Sequence, residues 1–407
     1  MNTPQKSALY KVLIVHNYYQ IPGGEDTVAE NEKKLLEEHG HQVICYTRSN
    51  CELNNMSRLK KLLLPFTGIF SLKTYREVRK IIKENNIDIV HVHNTLTLVS
   101  PSVYWAALRS RVPVAQTMHN YRLLCPGGAF YGEGHICEDC AFKGLWYALK
   151  RKCYRRSFEQ TLMSILILQV HRLLGTYKRL NYICLTEFNK EKLLMLNMKR
   201  KELIKPEKVF IKPNFTSGTA ILEEGRKEYF IFIGRLEQIK GIDILIEAFS
   251  KLPDEKLLLV GTGTQEQKYR AMAAEHKNIT FSGYLSREEV NSALRKAKAI
   301  IVPSQWYETF GMIIIEAFSN SVPAVVGDIG NIGGLVEDNY TGLHFRYDSG
   351  EALIKAIQSL DEGKCREYGK NAYKVYKEYF SPEENYKQLI KIYSKIINFA
   401  VPGTRDL

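Results

Sequence analysis

The chain has 407 residues, which is enough for two or three domains of roughly 100–200 residues each. Hydrophobic residues make up 45% and charged residues 25%, a balance that excludes a disordered or fibrous chain and is typical of a globular protein with a full core. The formal net charge of +13 lies in the first half: residues 1–216 carry 33 Lys and Arg against 18 Asp and Glu, and the remainder carries 24 against 26.

The start of the sequence runs directly into a predicted strand, without the apolar core and cleavage site of a secretory signal. No apolar run reaches the ~18 residues that a membrane-spanning helix needs, because Leu162–Val170 is followed at once by His171 and Arg172. We therefore predict a cytoplasmic protein, whose eight cysteines are reduced thiols or metal ligands rather than disulfides.

Predicted strands and helices alternate along the first half. Residues 11–17 form a short apolar run rich in β-branched residues, which is typical of a buried strand. A glycine-containing loop and an amphipathic helix ending at Gly40 follow, and further strands are predicted at 41–47, 87–94 and 112–120. Continuous apolar strands separated by helices indicate a parallel sheet covered on both faces.

A second alternating set begins at 228–236, with further predicted strands at 256–264, 278–285, 299–304 and 323–328. The chain is therefore predicted to be an α/β protein with two facing Rossmann-like, doubly wound domains and a cleft between them, where ligands bind beyond the carboxyl ends of the strands. The predicted segments are an N-terminal domain, a linker, a C-terminal domain and a final helix that returns to the N-terminal domain: 1–216, 217–228, 229–380 and 381–407.

Two cations follow the first strand of the second set. GRLEQIKG (234–241) places Arg235 and Lys240 between the strand end and a helix that opens near Gly241. Two cations beside a helix N-terminus suit a diphosphate. The same pattern is equally typical of a solvated loop with ordinary surface charges.

GGED (23–26) holds the corresponding place in the first set, after a strand and at the start of a helix. Glycines let a backbone approach a phosphate, and a helix N-terminus attracts anions. Taken alone, however, the motif is better explained as a tight strand-to-helix turn. The sequence contains neither GxGxxG here nor GxxxxGK[ST], which argues against a nicotinamide enzyme and a P-loop NTPase.

Two glutamates bracket an otherwise apolar run in WYETFGMIIIEAF (306–318). A helix is predicted to begin near Phe310 or Gly311, so that Glu308 precedes it and Glu316 lies about one and a half turns inside. The amides of the first turn lack intrahelical partners, and an ionised carboxylate can accept from a pair of sugar hydroxyls. Together with the two cations, these groups predict a site for a sugar nucleotide. The alternative is one capping and one salt-bridged glutamate.

These motifs resemble those of the retaining glycosyltransferases of family 4, which have the two-Rossmann fold called GT-B, and among them the bacterial surface-polysaccharide enzymes. The resemblance covers nearly the whole chain. The two glutamates with seven residues between them, Phe310-Gly311, GRLEQIKG and GGED match in order and position. The match is highly specific in the second half and less so in the first.

The resemblance implies that the C-terminal domain binds a nucleotide sugar and the N-terminal domain an acceptor. Arg235 and Lys240 would bind the donor diphosphate, and Glu316 the ribose hydroxyls. Glu308 would hold the transferred sugar, together with backbone amides of three residues: Phe310, Gly311 and Met312.

On the N-terminal side, Gly23 and Gly24 would approach the diphosphate or the acceptor. His119 is similar to the family histidine beside the reacting sugar, although a satisfied histidine at a strand end explains it equally well. Gly333-Gly334 stands where many members carry Pro-Glu, which puts a donor-sugar contact from that loop in doubt.

The family chemistry is hexosyl transfer with retention, and it requires no metal cofactor. The acceptor hydroxyl attacks on the face that the nucleotide leaves, and a diphosphate oxygen takes its proton. Cations that offset the developing diphosphate charge agree with this chemistry. The expected donor is a UDP-sugar, with a GDP-sugar second.

Four cysteines cluster after the His119 strand: Cys125, Cys137, Cys140 and Cys153. Their C-x11-C-x2-C-x12-C spacing suits a structural tetrahedral zinc site, in which His119 or His135 could replace one ligand. Unligated thiols in a reducing cytoplasm are an equal alternative, and an iron–sulfur cluster is a weaker one.

The segment from Cys140 to Tyr182 carries nine Lys and Arg against Glu159 alone, interleaved with apolar residues. A second patch of this kind is LKKLLLPFTGIF (59–70). Such patches suit an anionic bilayer surface, and the alternative is a solvated basic face over core helices. We expect a protein bound peripherally to the inner face of the cell membrane. Family members with this bias often extend glycans on lipid carriers, so the resemblance implies a lipid-linked saccharide or lipopolysaccharide acceptor.

Two rival functions stay open at this point. A GT-B sugar-nucleotide epimerase or hydrolase would use the same diphosphate pocket, and product analysis would separate it from a transferase, whose nucleotide release depends on an acceptor. A zinc-containing nucleic-acid-binding protein would be basic and cysteine-rich, but the RRM, KH and zinc-finger patterns are absent from the sequence, so no nucleic-acid partner is expected.

Overall fold

The computed structural model describes residues 9–20, 23–58, 61, 63–198, 202–218 and 228–400. Most of the predicted linker 217–228 lies outside these residues, as do three positions of the predicted patch 59–70: Leu59, Lys60 and Leu62.

The chain divides into two compact units. The N-unit comprises residues 1–128, 138–213 and 385–407, and the C-unit comprises residues 129–137 and 214–384. Each unit is built around one six-stranded sheet in which every strand pair is parallel. The predicted pair of doubly wound α/β sheets is confirmed.

The N-unit sheet has the order β2-β1-β3-β4-β7-β8. Its strands are β1 (Lys11–Tyr18), β2 (Gln42–Ser49), β3 (Ile89–Val92), β4 (Val114–Thr117), β7 (Asn181–Cys184) and β8 (Val209–Ile211). The helices of the N-unit are α1 (Gly24–Glu38), α2 (Leu64–Ile69), α3 (Leu72–Asn85), α4 (Ser102–Arg109), α5 (Asp139–Phe142), α6 (Trp146–Arg151), α7 (Phe158–Leu173), α8 (Glu187–Leu194) and, near the C-terminus, α16 (Pro382–Ala400), which begins in the C-unit.

The C-unit sheet has the order β11-β10-β9-β12-β13-β14. Its strands are β9 (Tyr229–Ile233), β10 (Leu257–Val260), β11 (Ile279–Gly283), β12 (Ala297–Val302), β13 (Ala324–Gly327) and β14 (Gly342–Phe345). The helices are α9 (Ile242–Ser250), α10 (Glu266–Met272), α11 (Arg287–Lys296), α12 (Met312–Ser319), α13 (Gly330–Leu335), α14 (Gly350–Ser359) and α15 (Glu362–Val375). A two-stranded antiparallel hairpin, β5 (Tyr131–Gly132) and β6 (His135–Ile136), groups with this unit.

The apolar runs of the sequence become buried strands. Val12 and Ile14 of β1 are buried in the N-unit core, where Leu389 and Tyr393 of α16 pack against the same cluster. Burying such side chains stabilises the fold by about 1.5–3 kcal/mol each. Among the described residues, no helix combines the length and the apolar character that crossing a membrane requires.

The strand orders locate the ligand-binding edges of the two sheets. In the C-unit, the chain winds one way from β9 to β11 and then returns to place β12 on the other side of β9. In the N-unit, the corresponding reversal lies between β1 and β3. Ligands of open α/β sheets bind beyond the carboxyl ends of the strands at such a reversal. A ligand-binding site is therefore expected in the loops after β9, β12, β1 and β3.

Candidate functional site

The loops after β9 and β12 meet at the reversal of the C-unit sheet. Lys240, in a short 3₁₀ turn after β9, places its Nζ 2.5 Å from Oε1 of Glu308, in the loop after β12. Ser304 Oγ donates to the same carboxylate oxygen at 2.6 Å. Burial alone would raise the pKa of Glu308, but the Lys240 ammonium and these hydrogen bonds hold that pKa below its ordinary value. Glu308 is therefore a carboxylate with a fixed orientation.

Gly241 allows the two loops to approach each other. Its φ is +69°, and a Cβ at this position would lie 2.0 Å from the carbonyl oxygen of Pro303. Only glycine fits such a contact, because both the backbone conformation and the space exclude a side chain. Gly241 is thus the local reason that Lys240, in the preceding position, reaches Glu308.

The α12 helix begins at Met312, one or two residues later than predicted, because Gly311 adopts φ +112° as the residue before it. The first N–H groups of a helix lack intrahelical partners and can bind an anion. In α12 the Ile314 N–H donates to the Gly311 carbonyl at 2.9 Å, which leaves the amides before it for a ligand. The ring of Phe310 is buried and lies edge-on to Phe380 with 6.1 Å between centroids, so only its backbone can serve a ligand.

Glu316 is the fifth residue of α12. Burial raises its pKa to about 7, and Arg287 opposes that shift. Its carboxyl group therefore changes charge near neutral pH. Arg235, the other predicted phosphate ligand, is exposed in the loop after β9.

Asn331 belongs to this site but was missed by the sequence analysis. It lies in α13, beside the Gly333-Gly334 pair, and is 1% exposed. Its amide nitrogen donates to the backbone carbonyl of Glu308, and to that of Thr309 at 3.1 Å. The glycine-rich loop thus supports the Glu308 loop through Asn331, a role for which the sequence carries no local signal.

In the N-unit, Gly23 and Gly24 are exposed at the start of α1. Asp26 closes this turn, since its Oδ2 accepts from the Gly23 N–H at 2.9 Å and its Oδ1 lies 2.7 Å from His16 Nε2. Glu25 was also missed: its Oε2 accepts from Tyr19 OH at 2.9 Å, and burial raises its pKa to about 7. The GGED motif did carry a signal for Glu25, because an acidic residue directly follows the two glycines.

His119 follows β4 and is 9% exposed. Its Nε2 lies 2.9 Å from Nδ1 of His93, which follows the neighbouring strand β3. Burial lowers the pKa of His119 well below its ordinary value, so that the ring is neutral at pH 7. A cavity of about 70 Å³ adjoins both histidines, with Tyr104, Gln116 and Arg122 among its other lining residues. That space is large enough for several water molecules or for part of a polar ligand.

The four cysteines of the predicted zinc site span the segment between β4 and α7. Cys125 and Cys140 are buried, whereas Cys137 and Cys153 are half-buried. Among the described residues, the group whose potential ligand atoms lie within 4.8 Å of one another is Glu32, His91 and His93, and it includes none of these cysteines. The zinc assignment therefore stays a prediction from the sequence spacing.

The two predicted basic and apolar patches lie together in the N-unit. A Cβ on Gly68 of α2 would be 3.5 Å from Ile167 of α7. We define the apolar–basic face as four exposed aromatic residues together with the Lys and Arg residues of the two patches. The aromatic residues are Phe66, Phe142, Trp146 and Phe158. Not every cation is available to a partner, because Asp139 pairs with Lys143 at 2.8 Å and with Arg151 at 2.6 Å.

Comparison with known proteins agrees with this architecture. The family model described as Glycosyl transferases group 1 matches residues 219–375, and the model described as Glycosyltransferase Family 4 matches residues 22–167. An uncharacterized glycosyltransferase of Methanocaldococcus jannaschii is 24% identical over 399 residues, which cover 95% of this chain and 99% of the relative. The O-antigen chain mannosyltransferase C of Escherichia coli is 25% identical over 177 residues, 42% of this chain and 47% of that protein.

Solved structures show the same fold. A glycosyltransferase from Rickettsia africae superposes with a TM-score of 0.67 at 19% identity, covering 96% of this chain and 99% of that one. Anabaena HepE in complex with UDP superposes with a TM-score of 0.65 at 17% identity, covering 95% and 100%. The chain therefore has the GT-B fold.

Proposed function

Because the chain belongs to the family 4 glycosyltransferases of the GT-B fold, we propose that it moves a hexose from a nucleotide sugar to a hydroxyl of a lipid-linked saccharide or lipopolysaccharide-type acceptor. The observation that carries the proposal is the meeting of Lys240, Glu308 and the α12 N-terminus at the reversal of the C-unit sheet. A cation, a carboxylate and free amides at one edge supply the chemistry that a sugar diphosphate requires.

The donor would be held by groups of the C-unit. Arg235 and Lys240 would bind the diphosphate, and the amides of the α12 N-terminus would add donors. Glu316 would accept from the two ribose hydroxyls once ionised. The UDP complex of the HepE structure supports UDP as the first choice of nucleotide, with GDP second.

Glu308 would orient the transferred sugar. Its Oε1 already accepts from Lys240 and Ser304, so the orientation of the carboxylate is fixed before a sugar binds. Because Lys240 and Glu308 are coupled, binding of the diphosphate to Lys240 would also position the carboxylate that holds the sugar. Pre-organisation of this kind lowers the cost of aligning the reacting groups.

Transfer would proceed with retention and without a metal cofactor. The acceptor oxygen forms the new bond to the anomeric carbon on the face that the nucleotide leaves, while the bond to the diphosphate oxygen breaks. That diphosphate oxygen takes the hydroxyl proton. The Arg235 and Lys240 charges stabilise the diphosphate that develops, and His119 would hold a hydroxyl beside the reaction.

The apolar–basic face of the N-unit supports an acceptor presented by a membrane. Trp146 is 72% exposed and lies between Lys143 and Lys150 in the sequence, and Phe66 is 71% exposed and follows Lys61. Exposed aromatic side chains with cations bind anionic bilayer surfaces through apolar insertion and Coulomb attraction. The O-antigen role in the name of the Escherichia coli relative supports the same class of acceptor.

The test is acceptor-dependent nucleotide release. The protein is incubated with UDP-hexoses and GDP-hexoses, with and without a lipid extract carrying undecaprenyl-linked glycans or lipopolysaccharide core, in the presence of EDTA. Release that requires the extract, with an NMR spectrum showing a retained anomeric configuration, supports the proposal. Equal release without the extract would instead favour a hydrolase, and conversion of the donor sugar without nucleotide release would favour an epimerase. Glu308→Gln serves as the inactive control.

A further inference from the structure

A cluster of buried ionisable side chains lies beside His119 in the N-unit. Glu32 on α1 and Lys212 after β8 are both 0% exposed, and Lys212 Nζ lies 2.5 Å from Glu32 Oε1. Asn385 Oδ1 accepts from the same ammonium at 3.0 Å. The buried carboxylate and the buried ammonium compensate each other, whereas either one alone would be an uncompensated buried charge.

Two histidines face the second oxygen of Glu32. His91 Nδ1 and His93 Nε2 each lie 3.5 Å from Glu32 Oε2. The three side chains have ligand atoms close enough together for a metal ion. Their partners argue against one, because the Lys212 ammonium already supplies the positive charge. Both nitrogens of His91 are also engaged, with Tyr393 OH at 2.7 Å and Thr117 Oγ1 at 2.7 Å.

The positions of the ring protons follow from these contacts. Neither Glu32 Oε2 nor His93 Nε2 has a hydrogen-bond partner among the described residues, so the field of the carboxylate acts directly on that nitrogen. A carboxylate only accepts, which favours the proton of His93 on Nε2. Burial lowers the pKa of His93 well below its ordinary value, so the ring is neutral and carries a single proton.

His93 Nδ1 is then an acceptor, and it lies 2.9 Å from His119 Nε2. His119 must donate that hydrogen bond. His16, whose ring centroid is 6.2 Å from that of His93, does not disturb this arrangement, because its Nε2 is engaged by Asp26. His119 is neutral, so its single proton lies on Nε2 and its Nδ1 carries a lone pair.

We infer that His93, held by Glu32 and Lys212, is a positioning residue that keeps His119 in the neutral Nε2–H tautomer and leaves His119 Nδ1 as an acceptor for a sugar hydroxyl. The role of that hydroxyl rests on the proposed function. The tautomer does not rest on it, because it follows from contacts within the N-unit. His119 therefore accepts a hydrogen bond from its ligand, and a ligand whose hydroxyl is removed or methylated loses that bond.

The direct test is a long-range ¹H–¹⁵N correlation spectrum of protein labelled with ¹⁵N-histidine, with His119 assigned through His119→Gln. The expected spectrum has the proton on Nε2 and an unprotonated Nδ1. A His119 ring protonated on Nδ1, or on both nitrogens at neutral pH, would overturn the inference. This measurement needs neither donor nor acceptor, so it gives an answer even if the proposed transfer fails.

Three substitutions extend the test to catalysis. His93→Phe removes the acceptor and should lower kcat by about ten- to one hundredfold, with little change in the KM for the donor, because a histidine in the wrong tautomer cannot accept the hydroxyl. His93→Asn supplies Oδ1 in place of Nδ1 and should restore most of kcat and the Nε2–H signature.

His91→Phe is the matched control, since it changes an equally buried histidine that contacts Glu32 but not His119. It should lower stability while leaving kcat and the His119 spectrum unchanged. A folded His93→Phe with wild-type kcat, or an equal loss of kcat in His91→Phe, would contradict the positioning role. If His93→Phe does not fold, the wild-type spectrum and His93→Asn decide the question.

Discussion

At the scale of single residues, the burial of the Glu316 carboxyl group should make the affinity for nucleotide depend on pH. Its pKa is raised to about 7 by burial, whereas the proposed contact with ribose hydroxyls needs the ionised form. Protonation should therefore compete with binding as pH falls through 7. We predict that the Kd for the preferred nucleoside diphosphate rises about tenfold from about pH 8 to about pH 6.

Isothermal titration at several pH values measures this dependence. Glu316→Gln should bind weakly at every pH, with a flat profile. Glu288, on the exposed side of α11, offers a control carboxylate whose replacement by Gln should leave the wild-type slope. A wild-type affinity that is constant over this range would show that the Glu316 carboxylate does not contact the nucleotide.

At the scale of elements, the approach of the β9 and β12 loops depends on Gly241. Gly241→Ala would force a Cβ against the Pro303 carbonyl and strain a backbone at positive φ. We predict a loss of about 2–5 kcal/mol in the free energy of unfolding in urea, together with weaker nucleotide binding because Lys240 moves away from Glu308.

Gly334→Ala is the matched control for this substitution. Gly334 lies in the short helix α13, and a Cβ there would meet nothing within 4 Å. Alanine should therefore be neutral, or stabilising by about 0.5–1 kcal/mol. If Gly241→Ala behaved like Gly334→Ala, the close contact between the two loops would not determine the site.

The helices α2, α5, α6 and α7 carry the apolar–basic face, whose proposed partner is an anionic bilayer. The double substitution Phe66→Ala, Trp146→Ala should weaken co-sedimentation with phosphatidylglycerol vesicles about tenfold or more, because each large apolar side chain contributes about 1.5–3 kcal/mol when buried. Tyr284→Ala, which removes an aromatic residue 80% exposed in the C-unit, is the control. Equal binding to neutral phosphatidylcholine vesicles, or no binding at all, would contradict the prediction.

At the scale of the whole molecule, buried histidines should make the fold sensitive to acid. Burial lowers the pKa of six of them: His16, His41, His91, His93, His119 and His171. For His91 the lowered value is about 4. Below about pH 6.5 the unfolded chain binds more protons at these sites than the folded chain, so the free energy of unfolding falls.

Two buried carboxyl groups act in the opposite direction. The pKa values of Glu25 and Glu316 are raised to about 7, so the folded chain binds more protons at these sites as pH falls from 7 toward 4.5. Six histidines outweigh two glutamates, and we predict a net loss of about 2–4 kcal/mol between about pH 7.5 and about pH 5.5. Urea denaturation at both pH values measures it, and an unchanged or higher midpoint at the lower pH would refute it.

The features that could be predicted from the sequence are the strands, which depend on short apolar runs, and the site residues that follow strand ends. The sequence analysis located the β1, β9 and β12 strands, and it placed Lys240 and Glu308 at one sheet edge although 68 residues separate them. The role of the Gly241–Pro303 contact could not be predicted, because it depends on the distance between two loops. Strand β7, with four residues, and strand β8, with three, were missed because their apolar runs are too short to show a period.

The polar cluster around Glu32 lay beyond sequence analysis for a physical reason. Glu32 belongs to an amphipathic helix in which a charged residue is expected to face solvent, and its partner Lys212 follows it by 180 residues. Only the folded N-unit shows that both are buried and paired. His93 carried a visible signal, a histidine directly after an apolar strand, but its contact with His119 requires the register of β3 and β4.

In the proposed function, the C-unit binds a nucleotide through Glu316 and the Lys240–Glu308 pair. The most direct test is thermal unfolding of the wild type and of Glu316→Ala with UDP, GDP and ADP. At about 100 times Kd, the preferred nucleotide should stabilise the wild type by about 2.7 kcal/mol. We predict such a shift for one base, UDP first, and its loss in Glu316→Ala. A folded wild type that no nucleotide stabilises would contradict the account.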